Sequence, residues 1–303
     1  DEHYKELGNA LGFQFTKVDD EQCFIPVGTA LGDKAARIEA LSRLRGVSLE
    51  QQWNDSNLHD ITFHAVDQWN DGLARYKQTR GLMDYTDLLE TFSNTLDVDI
   101  FILDEAQDLS PLQWRVVSCA SRNAKNIYVA GDDDQCIYGW AGAEVSSFLR
   151  LRGTTETLPI SYRLPRSIYR VATMVAEGIR ERQTKNWTSR DDEGLVDTVH
   201  SETNLDLSSG DWMLLSRNHR YLKAFEELCQ NQGYTYIKEG VHSTDNATSR
   251  AILHWERWRK GLPLTSKEVK TLAPYVRELD RWQPREDTLL RDSPVEEQRK
   301  AQT

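Results

Sequence analysis

Two short apolar stretches, each followed at once by acidic residues, form the clearest pattern along the chain. Residues 98–103 read Val-Asp-Ile-Phe-Ile-Leu and lead into Asp104 and Glu105, and residues 126–130 read Asn-Ile-Tyr-Val-Ala and lead into a glycine and the aspartates 132–134. Runs of this length, rich in β-branched and aromatic residues, are typical of buried strands in a parallel sheet. Because ligands bind at the carboxyl ends of such strands, both acidic loops lie where a ligand site is expected.

A helix is predicted between the two stretches. Ser110 is a favourable N-cap residue and Pro111 is a favourable first helical residue. The unit is therefore strand, acidic loop, helix, strand, acidic loop, which indicates an α/β fold. The apolar residues of the predicted helix are Leu112, Val116, Val117 and Ala120.

The residue types in the two loops suit nucleotide hydrolysis. A carboxylate at a strand end can hold Mg²⁺, a neighbouring Glu can activate water, and a Gln can contact a γ-phosphate. Asp104, Glu105 and Gln135 are the candidates for these three roles. The alternative is that acidic residues after a strand only cap the next helix, which is the commoner explanation for a lone Asp-Glu pair. Here that alternative has to account for both clusters.

A glycine-rich aromatic segment follows the second acidic loop. Residues 136–143 read Cys-Ile-Tyr-Gly-Trp-Ala-Gly-Ala, and the rings of Tyr138 and Trp140 are predicted to be exposed. Exposed rings of this kind stack on unpaired bases. The segment therefore indicates contact with a single-stranded nucleic acid.

Taken together, these motifs resemble those of superfamily-one DNA helicases of the UvrD/Rep/PcrA type. Residues 104–108 (Asp-Glu-Ala-Gln-Asp) match the family's Walker B motif, residues 131–140 match its third motif, and residues 161–163 (Ser-Tyr-Arg) match its fourth. Residues 84–89 resemble the segment that precedes Walker B. The resemblance covers residues 84–240, and the third motif is its most specific part.

The resemblance implies a fold and a domain organisation. It implies a RecA-like parallel-sheet core of a first motor domain with a helical insertion, plus the start of a second RecA-like domain. Residues 1–83 would be the mostly helical accessory part of the first motor domain, and residues 84–159 its remaining core. Residues 160–303 would be a partial second motor domain with a helical carboxyl-terminal part.

The resemblance also implies an activity. The family couples ATP hydrolysis to movement along single-stranded DNA and to unwinding of the duplex, with ATP and Mg²⁺ bound between the motor domains. By this resemblance Asp104 would hold Mg²⁺ and Glu105 would activate the attacking water. Gln135 and Arg163 would contact the γ-phosphate, and Tyr162 would stack on the adenine.

The implied partners are single-stranded DNA and the duplex junction. Tyr138 and Trp140 would stack on bases, and Arg217 and Asn218, which follow a predicted strand, would lie near the single strand. Asn218 is also predicted to cap a helix that ends near Gly233. A monomer in the cytoplasm is the expected state.

The sequence departs from the family pattern in two places. The Walker A loop, GxxxxGK[ST], is absent, as are motifs from the far end of the second motor domain, and the nearest match, residues 32–34, has no Ser or Thr after its Lys. The chain is therefore interpreted as an interior helicase fragment that does not hydrolyse ATP alone. In addition, Ala141 stands where related helicases carry Arg.

Three other functions are considered. A degenerate, non-hydrolysing module that binds DNA or a partner is favoured by the absent Walker A loop, but the intact Glu105, Gln135 and Arg163 argue against degeneration. A polymerase Gly-Asp-Asp loop should join two strands of a hairpin, and the following sequence does not form one. A Ca²⁺ loop running from Asp133 to Glu144 would place a tyrosine where glycine is needed. The last two are rejected.

Further elements are predicted from caps and periodicity. The spacing of residues 48–51 is that of a capping box, and Asp60 is expected to cap a helix that ends at Gly81. Pro165 opens a helix whose apolar stripe is predicted to be core. Residues 247–277 are expected to be helical, with Ala251, Trp255 and Trp258 on one face and the two tryptophans in a packing role rather than stacked on bases. Strands are expected near residues 155–159, 194–200, 211–216 and 234–237.

Composition narrows the class of protein. The net charge of −11 argues against a generally basic nucleic-acid coat, although a local DNA channel is compatible with it. No apolar run is long enough to span a membrane, and no signal peptide is present. The four cysteines contain no CxxC pair, which indicates a reducing compartment. A modest basic cluster is read as a solvated helix face or as a phosphate contact; it comprises Lys34, Arg37, Arg43 and Arg45.

Overall fold

Helices dominate the amino-terminal part of the computed structural model, which describes residues 2–16, 26 and 28–276. The buried indole of Trp69 lies at the centre of this helical region, against Leu7, Phe13, Ile38 and Val66. The helical content predicted for residues 1–83 is present in the described residues. The helices are α1 (Glu2–Leu11), α2 (Leu31–Arg45), α3 (Leu49–Asp55), α4 (Phe63–Arg80) and α5 (Tyr85–Thr91).

Local capping fixes where these helices begin and end. Ser48 accepts a hydrogen bond from the Gln51 backbone N–H, so the predicted cap of α3 is confirmed. Gly81 ends α4 with a φ of 63°, also as predicted. The predicted cap by Asp60 is wrong, because Thr62 directly precedes the helix and caps it, while Asp60 pairs with Lys34.

The strand, helix, strand unit forms as predicted. Strands β1 (Ile100–Leu103) and β2 (Asn126–Val129) pair in parallel, in a register that aligns Ile100 with Asn126 and Leu103 with Val129. Helix α6 (Pro111–Ala120) connects them. Ser110 and Gln113 form a complete capping box at its start.

The predicted burial of these strands is wrong for the described residues. The side chains of Ile100, Ile102 and Ile127 are 55%, 71% and 50% exposed. Each strand pairs on one side only, and within residues 28–276 no further strand joins the sheet. A parallel sheet is buried only when helices cover both faces, and this pair lacks that cover.

Helices α7 (Val145–Leu149) and α8 (Arg166–Ala176) complete the first of two compact units, Asp1–Val196. Pro165 precedes α8 as predicted. The expectation that the apolar stripe of α8 is core is wrong, because no residue of α8 is buried. The strand predicted near residues 155–159 does not form, and Ile160 makes an isolated bridge to Thr188 instead.

The second unit, Asp197–Thr303, is described by itself and only as far as residue 276. Helix α9 (His219–Gln232) begins after the predicted cap and ends at Gly233, and β3 (Ile237–Lys238) pairs antiparallel with β4 (Val241–His242). Of the strand predicted at residues 234–237, only Ile237 lies in a strand. No strand forms at residues 194–200 or 211–216.

Two helices, α10 (Ala247–Arg259) and α11 (Ser266–Leu272), hold the core of the second unit. The predicted packing of the tryptophan pair is confirmed: Trp258 is buried, and its ring meets that of Trp255 edge-on with centroids 5.6 Å apart.

The architecture is therefore a mixed helix and strand fold with a small parallel sheet. A RecA-like core and a second RecA-like domain stay predictions, as do the domain boundaries after residues 83 and 159. In the described part of the chain, no helix combines the length and the apolar character that crossing a membrane requires.

Candidate functional site

The first acidic loop leaves β1 through a strained turn. Glu105 has a φ of 51° and a ψ of 40°, a left-handed conformation that costs a residue with a side chain about 1 kcal/mol or more. The Glu105 backbone N–H donates to Oδ1 of Asp104 over 2.9 Å. Both side chains are exposed at the carboxyl end of the strand, where the sequence placed them.

A buried glutamine joins the two acidic loops. The Gln107 side chain is 2% exposed, and its Nε2 donates to Oε2 of Glu105 over 2.8 Å and to Asp108 over 3.2 Å. Its Oε1 accepts the Asp132 backbone N–H over 3.0 Å. One amide therefore holds the candidate catalytic carboxylate in a fixed relation to the second loop.

The backbone around this amide leaves little room. A Cβ on Gly131 would lie 2.7 Å from Oε1 of Gln107 and 3.1 Å from the Phe148 ring, so a larger residue would displace the buried amide. The Ala106 N–H donates to the Ala130 carbonyl over 3.0 Å, and the Ala130 N–H donates to the Leu103 carbonyl over 2.8 Å. Backbone and side-chain bonds thus extend the strand pairing into the site.

The donor set suits Mg²⁺ held jointly with a nucleotide. Asp104 and Glu105 supply the hard carboxylate oxygens that Mg²⁺ prefers. Asp108 adds a buried Oδ1 without a hydrogen-bond partner, and burial together with Glu105 raises the pKa of its carboxyl group. Within the described residues, no group of three or more His, Cys, Asp or Glu side chains could hold a metal alone. Mg²⁺ at this place would therefore need phosphate or water ligands as well.

The second acidic loop is folded on itself. The Asp132 carboxylate accepts the Asp134 backbone N–H over 3.2 Å and a hydrogen bond from the side-chain amide of Gln135. Gln135 is exposed, and its amide is bonded within its own loop. The amide nitrogen has a second N–H, which can donate to a γ-phosphate while the first stays on Asp132.

A basic segment closes over the same loop from a distant part of the first unit. Lys185 Nζ lies 2.6 Å from Asp132, 2.5 Å from Asp133 and 3.0 Å from Asp134. The Lys185 side chain is only 14% exposed. The three carboxylates therefore share one largely buried ammonium.

Two further groups of this segment complete the contact. Arg182 donates to Asp134 through two nitrogens, at 2.7 and 2.9 Å, and the Gln183 backbone N–H donates to Asp133 over 2.7 Å. We call Arg182, Gln183 and Lys185 the clasp. Sequence reasoning missed the clasp and Gln107. The available signal for the clasp was a pair of basic residues three positions apart after α8.

The clasp shifts the ionisation of the carboxylates that it contacts. The hydrogen bonds from Arg182 lower the pKa of Asp134, and Lys185 adds to this. Burial alone would raise the pKa of Asp132, but hydrogen bonds from Lys185 and Gln135 lower it overall. Both carboxylates are therefore charged throughout the neutral range.

The aromatic segment rests on the end of α2. Tyr138 and Trp140 are 46% and 42% exposed, with ring centroids 6.4 Å apart and planes inclined by 48°. Arg45 donates to the carbonyl of Gly139 over 3.0 Å. The left-handed Gly142 packs its backbone against α2. The predicted exposure of both rings is confirmed.

Three of the four residues of the predicted basic cluster, Lys34, Arg43 and Arg45, make structural contacts. Arg43 is a hub between helices rather than a solvated residue, and its side chain is 16% exposed. Lys77 joins two of its partners, Asp84 and Asp87, both over 2.8 Å. The acidic partners of Arg43 are Glu39, Asp84, Asp87 and Glu90.

The remaining candidates are exposed. Within the described residues, Tyr162 and Arg163 make no hydrogen bond or ion pair with the acidic loops, although Tyr162 is 80% exposed and open to a ligand. In the second unit, the Asn218 side chain accepts the Arg220 backbone N–H over 3.1 Å, so its capping role is confirmed. Arg217 beside it is exposed.

Comparison with known proteins gives a consistent family. The model of the UvrD/REP helicase N-terminal domain matches residues 39–156, which include both acidic loops and the aromatic segment. The protein named ATP-dependent DNA helicase PcrA of Staphylococcus epidermidis is 24% identical over 267 residues, or 79% of this chain and 35% of the relative. That of Staphylococcus aureus is 24% identical over 233 residues, or 68% of this chain and 30% of the relative.

These matches confirm the resemblance to UvrD/Rep/PcrA-type DNA helicases. The chain spans about a third of the length of the curated relatives that it matches. The similarity therefore concerns only a part of these relatives.

The buried amide generates a stability prediction. Gln107→Ala removes both ends of the bridge and leaves the Asp132 N–H and the Glu105 carboxylate without their partner. We expect the free energy of unfolding to fall by about 1–3 kcal/mol, measured by urea denaturation. Gln78→Ala, at an exposed position of α4, is the control and should change it by less than about 0.5 kcal/mol. Equal stability of the two variants would contradict the role of the bridge.

The clasp generates a pH prediction. Because the pKa of Asp134 is lower in the folded than in the unfolded state, its contribution is present above about pH 4 and is lost as pH falls through the folded value. Asp134→Asn should be less stable by about 1–3 kcal/mol at pH 7, and its stability should decline less between pH 5 and pH 2. Urea unfolding across this range measures both. Parallel curves for the variant and the wild type would refute the prediction, and Asp99→Asn, at an exposed ion pair, is the control.

Proposed function

We propose that this chain is the part of a DNA helicase motor that carries both the carboxylates of ATP hydrolysis and the rings that stack on single-stranded DNA. The observation that carries the proposal is the Gln107 bridge, because it fixes Glu105 to the loop that leads into Tyr138 and Trp140. A change at the nucleotide would reach the bases through this short connection. The similarity to PcrA helicases supports the same assignment.

The proposed chemical roles are those expected for the candidate side chains. In the proposed complex, Asp104 holds Mg²⁺, which supplies charge neutralisation to the phosphates when bound. Glu105 orients and deprotonates the attacking water. Gln135 contacts the γ-phosphate through the second N–H of its amide. Arg163 contacts the γ-phosphate as an arginine finger, and Tyr162 stacks on the adenine.

The phosphate-binding loop does not come from these residues. No GxxxxGK[ST] sequence occurs in the chain, so the backbone amides and Lys that cradle the β- and γ-phosphates must be supplied from outside it. ATP turnover is therefore proposed for the helicase motor that contains this part.

The proposed nucleic-acid partner is single-stranded DNA next to a duplex junction, bound by a monomer in the cytoplasm. The half-exposed rings of Tyr138 and Trp140 offer faces for unpaired bases. In the second unit, Arg217 is proposed to contact a phosphate, while Asn218 contributes as the cap of α9. The overall negative charge makes local stacking more important here than a broad electrostatic surface.

A second candidate function is a module that binds DNA without hydrolysing ATP. The bond between the Gln135 amide and Asp132 favours it, because this residue is engaged within its own loop. The two candidates share the DNA contact and differ in turnover.

The DNA contact is tested at the ring that it needs. Trp140→Ala should weaken binding of single-stranded DNA by about 1–3 kcal/mol, which is the contribution of one stacked base. Fluorescence anisotropy of a labelled oligothymidylate measures the affinity. Trp212→Ala, which removes an exposed indole from the second unit, should bind like the wild type. Unchanged affinity of Trp140→Ala would reduce that ring to a packing role.

ATP turnover by the purified chain would exclude the non-hydrolysing function. We expect the purified chain to release no phosphate from ATP, with or without single-stranded DNA, because the phosphate cradle is absent. Glu105→Gln serves as the baseline for contaminating activity. Turnover that disappears in Glu105→Gln would contradict this expectation and would also eliminate the non-hydrolysing candidate.

A further inference from the structure

The proposed stacking loop carries an electrostatic liability. The aspartates 132–134 precede Tyr138 by a few residues, and three carboxylates so close to a DNA strand would repel its phosphates. A loop that binds single-stranded DNA through Trp140 therefore needs these charges compensated.

The clasp provides that compensation at short range. Lys185 contacts all three carboxylates within 3.0 Å, and Arg182 grips Asp134 with two nitrogens. The Asp133 side chain is 5% exposed and also accepts the Gln183 backbone N–H. These are charge-assisted bonds in a largely buried setting, unlike an exposed ion pair, which contributes little.

The clasp also restricts where the loop can lie. Between β2 and α7 the chain forms only two short turns of 3₁₀ helix, Asp133–Gln135 and Gly139–Ala141. Its position therefore depends on contacts from outside: Gln107 on one side, Arg45 at the Gly139 carbonyl, and the clasp. Of these, the clasp holds the most charged part of the loop.

We propose that Lys185 and Arg182 are positioning residues for single-stranded DNA binding: they neutralise and fix the aspartate run so that Tyr138 and Trp140 face the bases. The inference rests on the proposed function, in which these rings stack on DNA. Tyr162 and Arg163 lie just before α8 in the chain, and the clasp lies just after α8. One continuous stretch therefore carries both the predicted nucleotide contacts and the residues that hold the stacking loop.

The test uses the full chain and a matched pair of variants. Lys185→Met removes the shared ammonium, and Lys125→Met removes an ammonium from the exposed pair with Asp99, whose side chains are both 75% exposed. Affinity for a fluorescein-labelled oligothymidylate is measured by anisotropy over a series of salt concentrations. We expect about fivefold or greater weakening in Lys185→Met, partial recovery in Lys185→Arg, and wild-type affinity in Lys125→Met.

High salt separates positioning from direct contact. Uncompensated aspartates repel DNA only while their charges are unscreened, whereas misplaced rings bind poorly at any salt concentration, so Lys185→Met should stay weaker than the wild type at high salt. A lysine that only contacts a DNA phosphate would instead give a variant whose affinity converges on that of the wild type as salt rises, and this result would overturn the inference. Hydrogen exchange supplies the second readout, since backbone amides of residues 132–142 should exchange faster in Lys185→Met while those of α10 keep their rates.

The remaining outcomes are also decisive. Wild-type affinity in Lys185→Met, with Trp140→Ala weakened, would overturn the inference and leave the proposed function standing. No DNA binding by the wild-type chain would overturn both. Hydrogen exchange across α4 shows whether Lys185→Met unfolds the first unit. If it does, Arg182→Gln, which retains Lys185, replaces it, and we expect the same changes in DNA affinity and in its salt dependence.

Discussion

The buried amide of Gln107 is the constraint on which the rest of the site depends. The strand pairing of β1 and β2 ends just before the two acidic loops, and beyond it the loops are joined by two backbone bonds and this side chain. The same amide donates to the carboxylate of Glu105, a residue whose backbone is strained. A strained residue persists only where its surroundings over-determine it, and Gln107 with the tight approach of Gly131 does so here.

The second organising feature is the ionic hub at Arg43. Burial disfavours its charge, but the hydrogen bond with Glu90 and the nearby carboxylates raise its pKa overall, so it is permanently charged. It connects α2 to the amino-terminal end of α5 and to the capping box formed by Asp84 and Asp87. The residues that precede the first acidic loop are thereby fastened to the helical region. Arg43, which the sequence assigns to a basic cluster, thus forms internal contacts between helices.

Local signals in the sequence predicted local structure well. The caps at Ser48, Ser110 and Asn218 and the start of α8 follow from side chains that act within one helical turn. Burial was predicted poorly, because it depends on what covers an element; the stripe of α8 is apolar and still exposed. The strands predicted at residues 155–159, 194–200 and 211–216 do not form for a related reason: a strand requires a pairing partner, which periodicity alone does not reveal.

The residues of the candidate site also differ in how far the sequence predicts their positions. Asp104, Glu105 and the aromatic rings lie where strand ends and spacing indicated, because their positions follow from β1 and β2. The clasp lies about fifty residues from the carboxylates that it contacts, at separations of 48 and 53 for Arg182–Asp134 and Lys185–Asp132. Contacts of such range leave no periodic trace in a single sequence.

The open sheet has a practical consequence for work with this chain. Among the residues that the structure describes, each strand of the β1–β2 pair has one unpaired edge, and Ile100, Ile102 and Tyr128 are exposed beside these edges. Edges of this kind are templates for pairing with another chain, and no proline occurs in either strand to block it. The chain is therefore prone to association through backbone ladders at high concentration. Low protein concentration would limit this association.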